Sequence, residues 1–173
     1  MADTFYWYDL ETTGTNPKWD RIVQFAGLRT DAELNPVGEP LCFYMQLPED
    51  VLPNPDASLV TGITPSKLAA KGVSEYEGLQ KIMQELNTPE TCALGYNNLR
   101  FDDEFLRYSL YRHLQDPYAR EYRNGNTRWD MVDLVRAAGA LRRDGIYWPV
   151  DEAGQAVYRL EELTKANGID HGQ

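Results

Sequence analysis

Two short connections, Asn16-Pro17 and Asn35-Pro36-Val37-Gly38, separate three apolar runs in the first third of the chain: Phe5 to Asp9, Arg21 to Thr30 and Leu41 to Leu47. Turns of this chemistry join antiparallel neighbours, because a parallel pairing needs a crossover of a dozen or more residues. The three runs therefore read as a meander. The Pro-rich stretch from Pro48 to Pro55 reads as a loop, and Thr64-Pro65 has the form of an N-cap with proline at the first helical position. Ser74 with Glu77 forms a capping box, and Leu79, Ile82, Met83 and Leu86 follow at helical spacing. This helix is expected to cover the sheet.

Thr91 to Tyr96 is a short strand, and Phe101, Phe105, Leu106, Leu110 and Leu114 line one side of the helix after it. Met131, Leu134, Val135, Ala138 and Leu141 stripe another helix, and Arg159 to Ala166 makes a last short one, stopped by Asn167-Gly168. A meander followed by alternating strands and helices predicts an α/β fold with a mixed sheet flanked by helices. At 173 residues and 42% hydrophobic, the chain reads as a single domain over 1–173 with a core of its own. Met1-Ala2-Asp3-Thr4 lacks the basic and apolar regions of a signal peptide, and no apolar run approaches the roughly 20 residues of a membrane helix, so the expected address is cytoplasmic. Cys42 and Cys92 lie far apart without a C-x-x-C spacing and read as small core residues.

Asp9 and Glu11 stand two apart at the carboxyl end of the first strand, so both side chains point to the same face. Together they can offer oxygens to one hard divalent cation, and Gly14 lets the chain turn away at once. That strand is expected to be central, because Phe5, Trp7 and Tyr8 read as buried on both faces, and sites in such sheets form at strand ends. A lone D-x-E is equally a solvated acidic turn. Asp102 opens the helix after Asn97-Asn98-Leu99-Arg100-Phe101, beside the same sheet edge, where an acid also suits the helix dipole. Three carboxylates converging on one edge are more telling than any of them singly.

The net charge of −10 opposes a nucleic-acid partner at first sight. Residues 100–143, however, carry nine cations against seven carboxylates, and all nine are Arg. Arg grips phosphate with paired hydrogen bonds and stacks on bases. Aromatic rings interleaved with cations are how single strands are held, which makes Arg107, Tyr118, Tyr122, Arg136, Tyr158 and Arg159 candidates for a strand-binding track. The plainer readings are an i, i+4 ion pair with Asp103 for Arg107, a solvated helix face for Arg136 and core packing for the tyrosines. His113 lies on an apolar stripe and reads as a satisfied core histidine.

The combination of Asp9-Leu10-Glu11-Thr12-Thr13-Gly14 with Asp102 resembles the DEDD superfamily of 3′-to-5′ exonucleases, whose catalytic domain is ribonuclease-H-like. Four segments narrow the resemblance to the bacterial exonuclease I family: residues 9–14 with Asp20-Arg21-Ile22-Val23-Gln24-Phe25-Ala26, Gly95-Tyr96-Asn97-Asn98 with Phe101-Asp102-Asp103-Glu104, Arg128-Trp129-Asp130, and Arg159 to Gly168. The resemblance implies that Asp9, Glu11 and Asp102 are catalytic metal ligands for Mg²⁺, with Mn²⁺ able to substitute, in a displacement using two ions about 3.5 to 4 Å apart. It further implies action on the 3′ end of single-stranded DNA, release of 5′-mononucleotides, a role in DNA repair and recombination, and single-strand DNA-binding protein as partner. Leu10, Thr12 and Thr13 would then lie beside the metals by adjacency, and Phe101 would wedge against the last base.

The superfamily pattern also asks for a fourth acid and a general base near the C-terminal end of the domain, as His-x-x-x-x-Asp or Tyr-x-x-x-Asp, and residues 152–173 hold neither. His171 is followed only by Gly172 and Gln173, and Tyr158-x-x-x-Glu162 carries the wrong acid, with Leu160 and Leu163 marking an ordinary helix start. The expectation is an N-terminal piece of a longer enzyme, ending before its last motif and weakly active or inactive by itself. Within the superfamily the alternative is a proofreading subunit or an enzyme like ribonuclease T or oligoribonuclease. Lys165-Ala166-Asn167-Gly168 and the long 100–143 stretch argue against it. A non-catalytic module that binds single strands or docks a partner would need neither Asp9 nor Glu11 for Mn²⁺.

Overall fold

The computed structural model describes residues 3–169, so His171 lies outside the described residues. Five strands form one sheet: β1 (Thr4–Thr12), β2 (Ile22–Thr30), β3 (Leu41–Tyr44), β4 (Thr91–Gly95) and β5 (Thr127–Asp130), in the order β3-β2-β1-β4-β5. β1 pairs antiparallel with β2, and β2 with β3, which is the expected meander; β1 pairs parallel with β4. The central position of β1 comes from this pairing on both sides rather than from burial on both faces. Tyr6, Tyr8, Leu10 and Thr12 are buried on one face, whereas Phe5, Trp7 and Glu11 are half-buried on the other and Asp9 is exposed.

The chain divides into two compact units, residues 1–129 and 130–173, where the sequence reads as one domain. In the first unit, α3 (Glu75–Leu86) starts at its capping box: Ser74 Oγ accepts from the Glu77 amide at 3.2 Å, and the Glu77 carboxylate accepts from the Ser74 amide at 3.2 Å. Leu79, Ile82 and Leu86 from α3 join Phe105, Leu106 and Leu110 from α4 (Asp102–Arg112) over the buried face of the sheet. Phe25 sits there with its ring stacked near both Tyr6 and Tyr8, at 6.4 and 6.1 Å between centroids. Two short helices precede α3. The second, α2 (Pro65–Lys71), has the expected Thr64 cap.

Several local expectations are corrected. The Pro-rich stretch that reads as a loop runs into a helix, α1 (Pro55–Thr61); Asn54 caps it and Pro55 opens it, so its proline marks a helix start. β5 is likewise an addition. Leu114 is 96% exposed, because α4 stops at Arg112 with His113 as its cap. Cys92 is buried as expected, but Cys42 is exposed on the edge strand β3, where it accepts from Gln24 Nε2 at 3.3 Å.

In the second unit, Asp130 caps α5 (Met131–Leu141) by accepting from the Val132 amide at 3.0 Å. Val132 and Gly139 are its buried residues, while Leu134 and Leu141 are exposed, so the buried face is turned from the predicted stripe. Asn167, which follows α6 (Leu160–Ala166), binds the Tyr147 backbone twice, accepting from its amide at 2.8 Å and donating to its carbonyl at 2.7 Å. Among the described residues no helix is long and apolar enough to cross a membrane.

Candidate active site

The β1–β4 pairing runs from Thr4↔Thr91 to Trp7↔Leu94, whereas the β1–β2 pairing continues to Thr12. Among the described residues, the strand pairing along the β4 edge of β1 ends at Trp7. The amide of Leu10 on that edge donates to Asp102 Oδ1 at 3.0 Å, which makes the first residue of α4 a substitute for the missing strand partner. β4 ends hard against β1 here: a Cβ placed on Gly95 would lie 2.6 Å from the Tyr8 carbonyl oxygen. These contacts place Asp102 beside the acidic end of β1.

Asp9 is exposed, Glu11 is half-buried and Asp102 is 3% exposed. Burial, and next the charge of Asp9, push the Asp102 carboxyl up to about 8. Burial also raises Asp9, and burial followed by the Asp9 charge raises Glu11. Asp9 is open to water on one side, yet the packed protein around it desolvates its carboxylate. Asp9 is thus the electrostatic neighbour of both other acids. Crowded oxygen donors whose charges disfavour one another suit a hard cation, which relieves the repulsion.

Among the described residues, no group of three His, Cys, Asp or Glu side chains is placed to hold a metal ion by itself.

The turn after β1 is held by its own side chains. Thr12 Oγ1 donates to the Gly14 carbonyl at 2.6 Å, and Thr13 Oγ1 donates to Asp20 Oδ1 at 3.0 Å while accepting from the Arg21 amide at 2.9 Å. Leu10, Thr12 and Thr13 are all buried, so their side chains serve the core and the turn.

Next to Asp102, Asp103 has partners other than the Arg107 that its spacing suggests. Asp103 is fully buried and accepts from the Tyr8 hydroxyl, from Arg120 at 2.6 Å and from Arg128 at 2.6 Å. Burial alone would raise its carboxyl, but the Arg120 charge and these three donors hold it below the ordinary carboxylate range. The adjacent pair Asp102 and Asp103 is thereby split into a raised acid and a lowered one. Arg107 does not pair with Asp103 as expected; it lies between Glu104 and Glu121, the latter at 2.8 Å, with its guanidinium 5.0 Å from the Tyr118 ring centre.

The strand-binding candidates fall in both units. In the first, Phe101 is half-buried against Phe105 at 4.9 Å, Tyr118 and Tyr122 are exposed, and Arg107 and Tyr118 line an open pocket of about 460 Å³. In the second, Arg136 is exposed at 3.7 Å from Asp133, Arg159 is exposed at 2.8 Å from Glu162, and Tyr158 meets Trp148 edge-on at 6.1 Å. His113 is a satisfied residue but half-buried rather than core, with Nε2 3.2 Å from Glu75.

A family model described as Exonuclease matches residues 6–173. The chain belongs to the exonuclease family. Exodeoxyribonuclease I of Haemophilus influenzae is 52% identical over 168 residues, which are 97% of this chain and 36% of that protein. Escherichia coli exonuclease I in complex with a dA16 oligonucleotide superposes with a TM-score of 0.95 at 49% identity, covering 99% of this chain and 37% of that one. An ExoI/SSB-Ct complex superposes at 0.96 and 49%, covering 100% and 38%. The chain thus spans little more than a third of the length of these relatives. The mixed sheet is the ribonuclease-H-like fold of the exonuclease I family, and DEDD exonucleases use divalent metal ions.

Proposed function

We propose that this chain carries the carboxylate site of a 3′-to-5′ exodeoxyribonuclease that degrades single-stranded DNA to 5′-mononucleotides in DNA repair and recombination. The observation that carries this reading is the approach of Asp102 to the acidic end of β1 through Leu10, in a chain about half identical to exodeoxyribonuclease I. Asp9, Glu11 and Asp102 would hold Mg²⁺, with Mn²⁺ as a substitute. Bound there, the ions supply Lewis-acid stabilisation at the scissile phosphate and make water a stronger nucleophile at neutral pH.

The remaining residues bind and orient. Exposed Tyr118 and Tyr122 offer faces for bases, Arg107, Arg136 and Arg159 follow phosphates, Tyr158 adds a ring, and Phe101 lies next to Asp102 where it can meet the terminal base. Leu10, Thr12 and Thr13 contribute through the backbone they fix around the acids. Both units belong to this one domain, as the family match across 6–173 supports. By analogy with the ExoI/SSB-Ct complex, single-strand DNA-binding protein is the partner, and the cytoplasm is where the protein acts.

The test is Mn²⁺ titration followed by electron paramagnetic resonance, comparing the native chain with Asp9→Asn, Glu11→Gln and Asp102→Asn. Each substitution is expected to weaken binding. Equal affinity in all four proteins would end the metal-site reading. Oligonucleotide binding measured alongside tests the strand track: unchanged affinity and salt slope in Arg107→Ala and Arg136→Ala would misplace it.

A further inference from the structure

Asp103 has no part in the chemistry above, yet its carboxylate is the most heavily bonded group beside the site. It is fully buried, Arg120 and Arg128 each reach it at 2.6 Å, and the Tyr8 hydroxyl donates to the same oxygen as Arg120. Arg120 is itself 3% exposed, and Arg128 turns its other nitrogen to Glu121 at 3.1 Å, where Arg107 also binds. A carboxylate with charged donors on both oxygens has a fixed direction.

The chain positions give that direction a consequence. Tyr8 immediately precedes Asp9 on β1, and Asp103 immediately follows Asp102 on α4. Neighbours on a strand face opposite sides, so holding Tyr8 on the buried face keeps Asp9 on the other. Neighbours on a helix are turned ~100° apart, so holding Asp103 sets where Asp102 points. The Tyr8–Asp103 bond thus couples the two elements one residue away from each proposed ligand. The Leu10–Asp102 bond fixes the first turn of α4 at one point, and the core side chains Phe105, Leu106 and Leu110 hold the helix only further along.

We propose that Asp103 is a positioning residue, which with Tyr8, Arg120 and Arg128 clamps the first turn of α4 to β1 so that Asp9 and Asp102 converge on a divalent cation. This rests on the reading of Asp9 and Asp102 as metal ligands. Asp103 touches neither ion nor substrate; it acts through its neighbours.

The experiment measures the Mn²⁺ dissociation constant by electron paramagnetic resonance, well below the unfolding temperature, for the native chain, Asp103→Asn, Tyr8→Phe, Asp102→Asn and Ser74→Ala. Circular dichroism melts run in parallel. Supporting groups behind metal ligands are worth about 10- to 100-fold in affinity, and that weakening is expected for Asp103→Asn, with a smaller one in the same direction for Tyr8→Phe. Ser74→Ala removes a distant helix cap; it should lower the melting temperature without moving the constant. A Tyr8→Phe constant within about twofold of native overturns the proposal, as does the same result for a folded Asp103→Asn. If Asp103→Asn does not fold, Tyr8→Phe decides alone. Native-like binding by Asp102→Asn, or no binding by the native chain, marks instead the failure of the ligand reading, and the clamp falls with it.

Discussion

The Leu10 amide and the Asp102 carboxylate, 92 positions apart in the chain, are joined at 3.0 Å where β4 has stopped pairing with β1. An acid is thus used as a strand partner, and its remaining lone pairs stay available beside Asp9.

The two uses of Asp102 come apart on substitution. Asp102→Ala orphans a buried amide, at a cost of about 1 to 3 kcal/mol. Asp102→Asn keeps the acceptor and removes a buried carboxyl whose ionisation is disfavoured by burial and by the Asp9 charge. In urea denaturation with divalent cations chelated, Asp102→Asn is expected to be at least as stable as the native chain and Asp102→Ala less so. A destabilised Asp102→Asn would show that the negative charge itself supports the fold.

Glu75 joins α3 to the end of α4, accepting from Arg112 at 2.8 Å and lying 3.2 Å from His113. Burial would raise its carboxyl, but Arg112 and His113 hold it below the ordinary value. A lowered acid contributes stability above the unfolded carboxylate pKa, near ~4.3, and loses it as pH falls through its folded value. Glu75→Gln should therefore cost about 1 to 3 kcal/mol at neutral pH, with the gap to native closing below about pH 4. A gap that stays constant on acidification would contradict this.

Phe105 is fully buried between the sheet and the two long helices of the first unit. Phe105→Ala is expected to cost about 3 to 5 kcal/mol, combining lost transfer energy with the cavity left behind. Chemical denaturation of the two proteins checks it.

Tyr122 and Arg136 are both exposed, and they should fail differently. Tyr122→Ala is expected to lower oligonucleotide affinity by about 1 to 3 kcal/mol while leaving the salt slope alone, because stacking releases no counterion. Arg136→Ala should reduce the slope of log K against log salt by about one. Fluorescence anisotropy across a salt series separates the two.

The 173 residues hold no His-x-x-x-x-Asp, and the one Tyr-x-x-x-Asp, Tyr147 to Asp151, lies on no helix and has its acid occupied by the Ala153 and Gln155 amides at 2.9 Å, so no general base of that pattern is on hand. Losing such a base costs on the order of 10² to 10⁴ in rate. Mg²⁺-dependent release of mononucleotides by this chain should be weak or absent, and brisk release would refute the expectation.

What could be read from the residues followed the range of the forces involved. The Ser74–Glu77 cap, the turns between β1, β2 and β3, and the D-x-E pair are local chemistry, and each was legible. α1 was hidden because Pro53 and Pro55 read as loop, although Pro55 is where that helix begins. β5 is four residues, Thr-Arg-Trp-Asp, too short for any alternation to show. Helical spacing pairs Asp103 with Arg107, four positions on; its actual cations are Arg120 and Arg128, 17 and 25 positions away, a separation no spacing rule reaches. The exposure of Leu114 turned on where α4 ends, which its apolar stripe does not mark.

Gly95 brings the last residue of β4 so near the Tyr8 carbonyl that a methyl group would collide with backbone, which has no rotamer by which to yield. If this position were randomised in a library, every survivor with a side chain would have to wedge β4 away from β1 just where the acidic tip begins. The neighbourhood can therefore diversify in what it displays outward while position 95 stays bare.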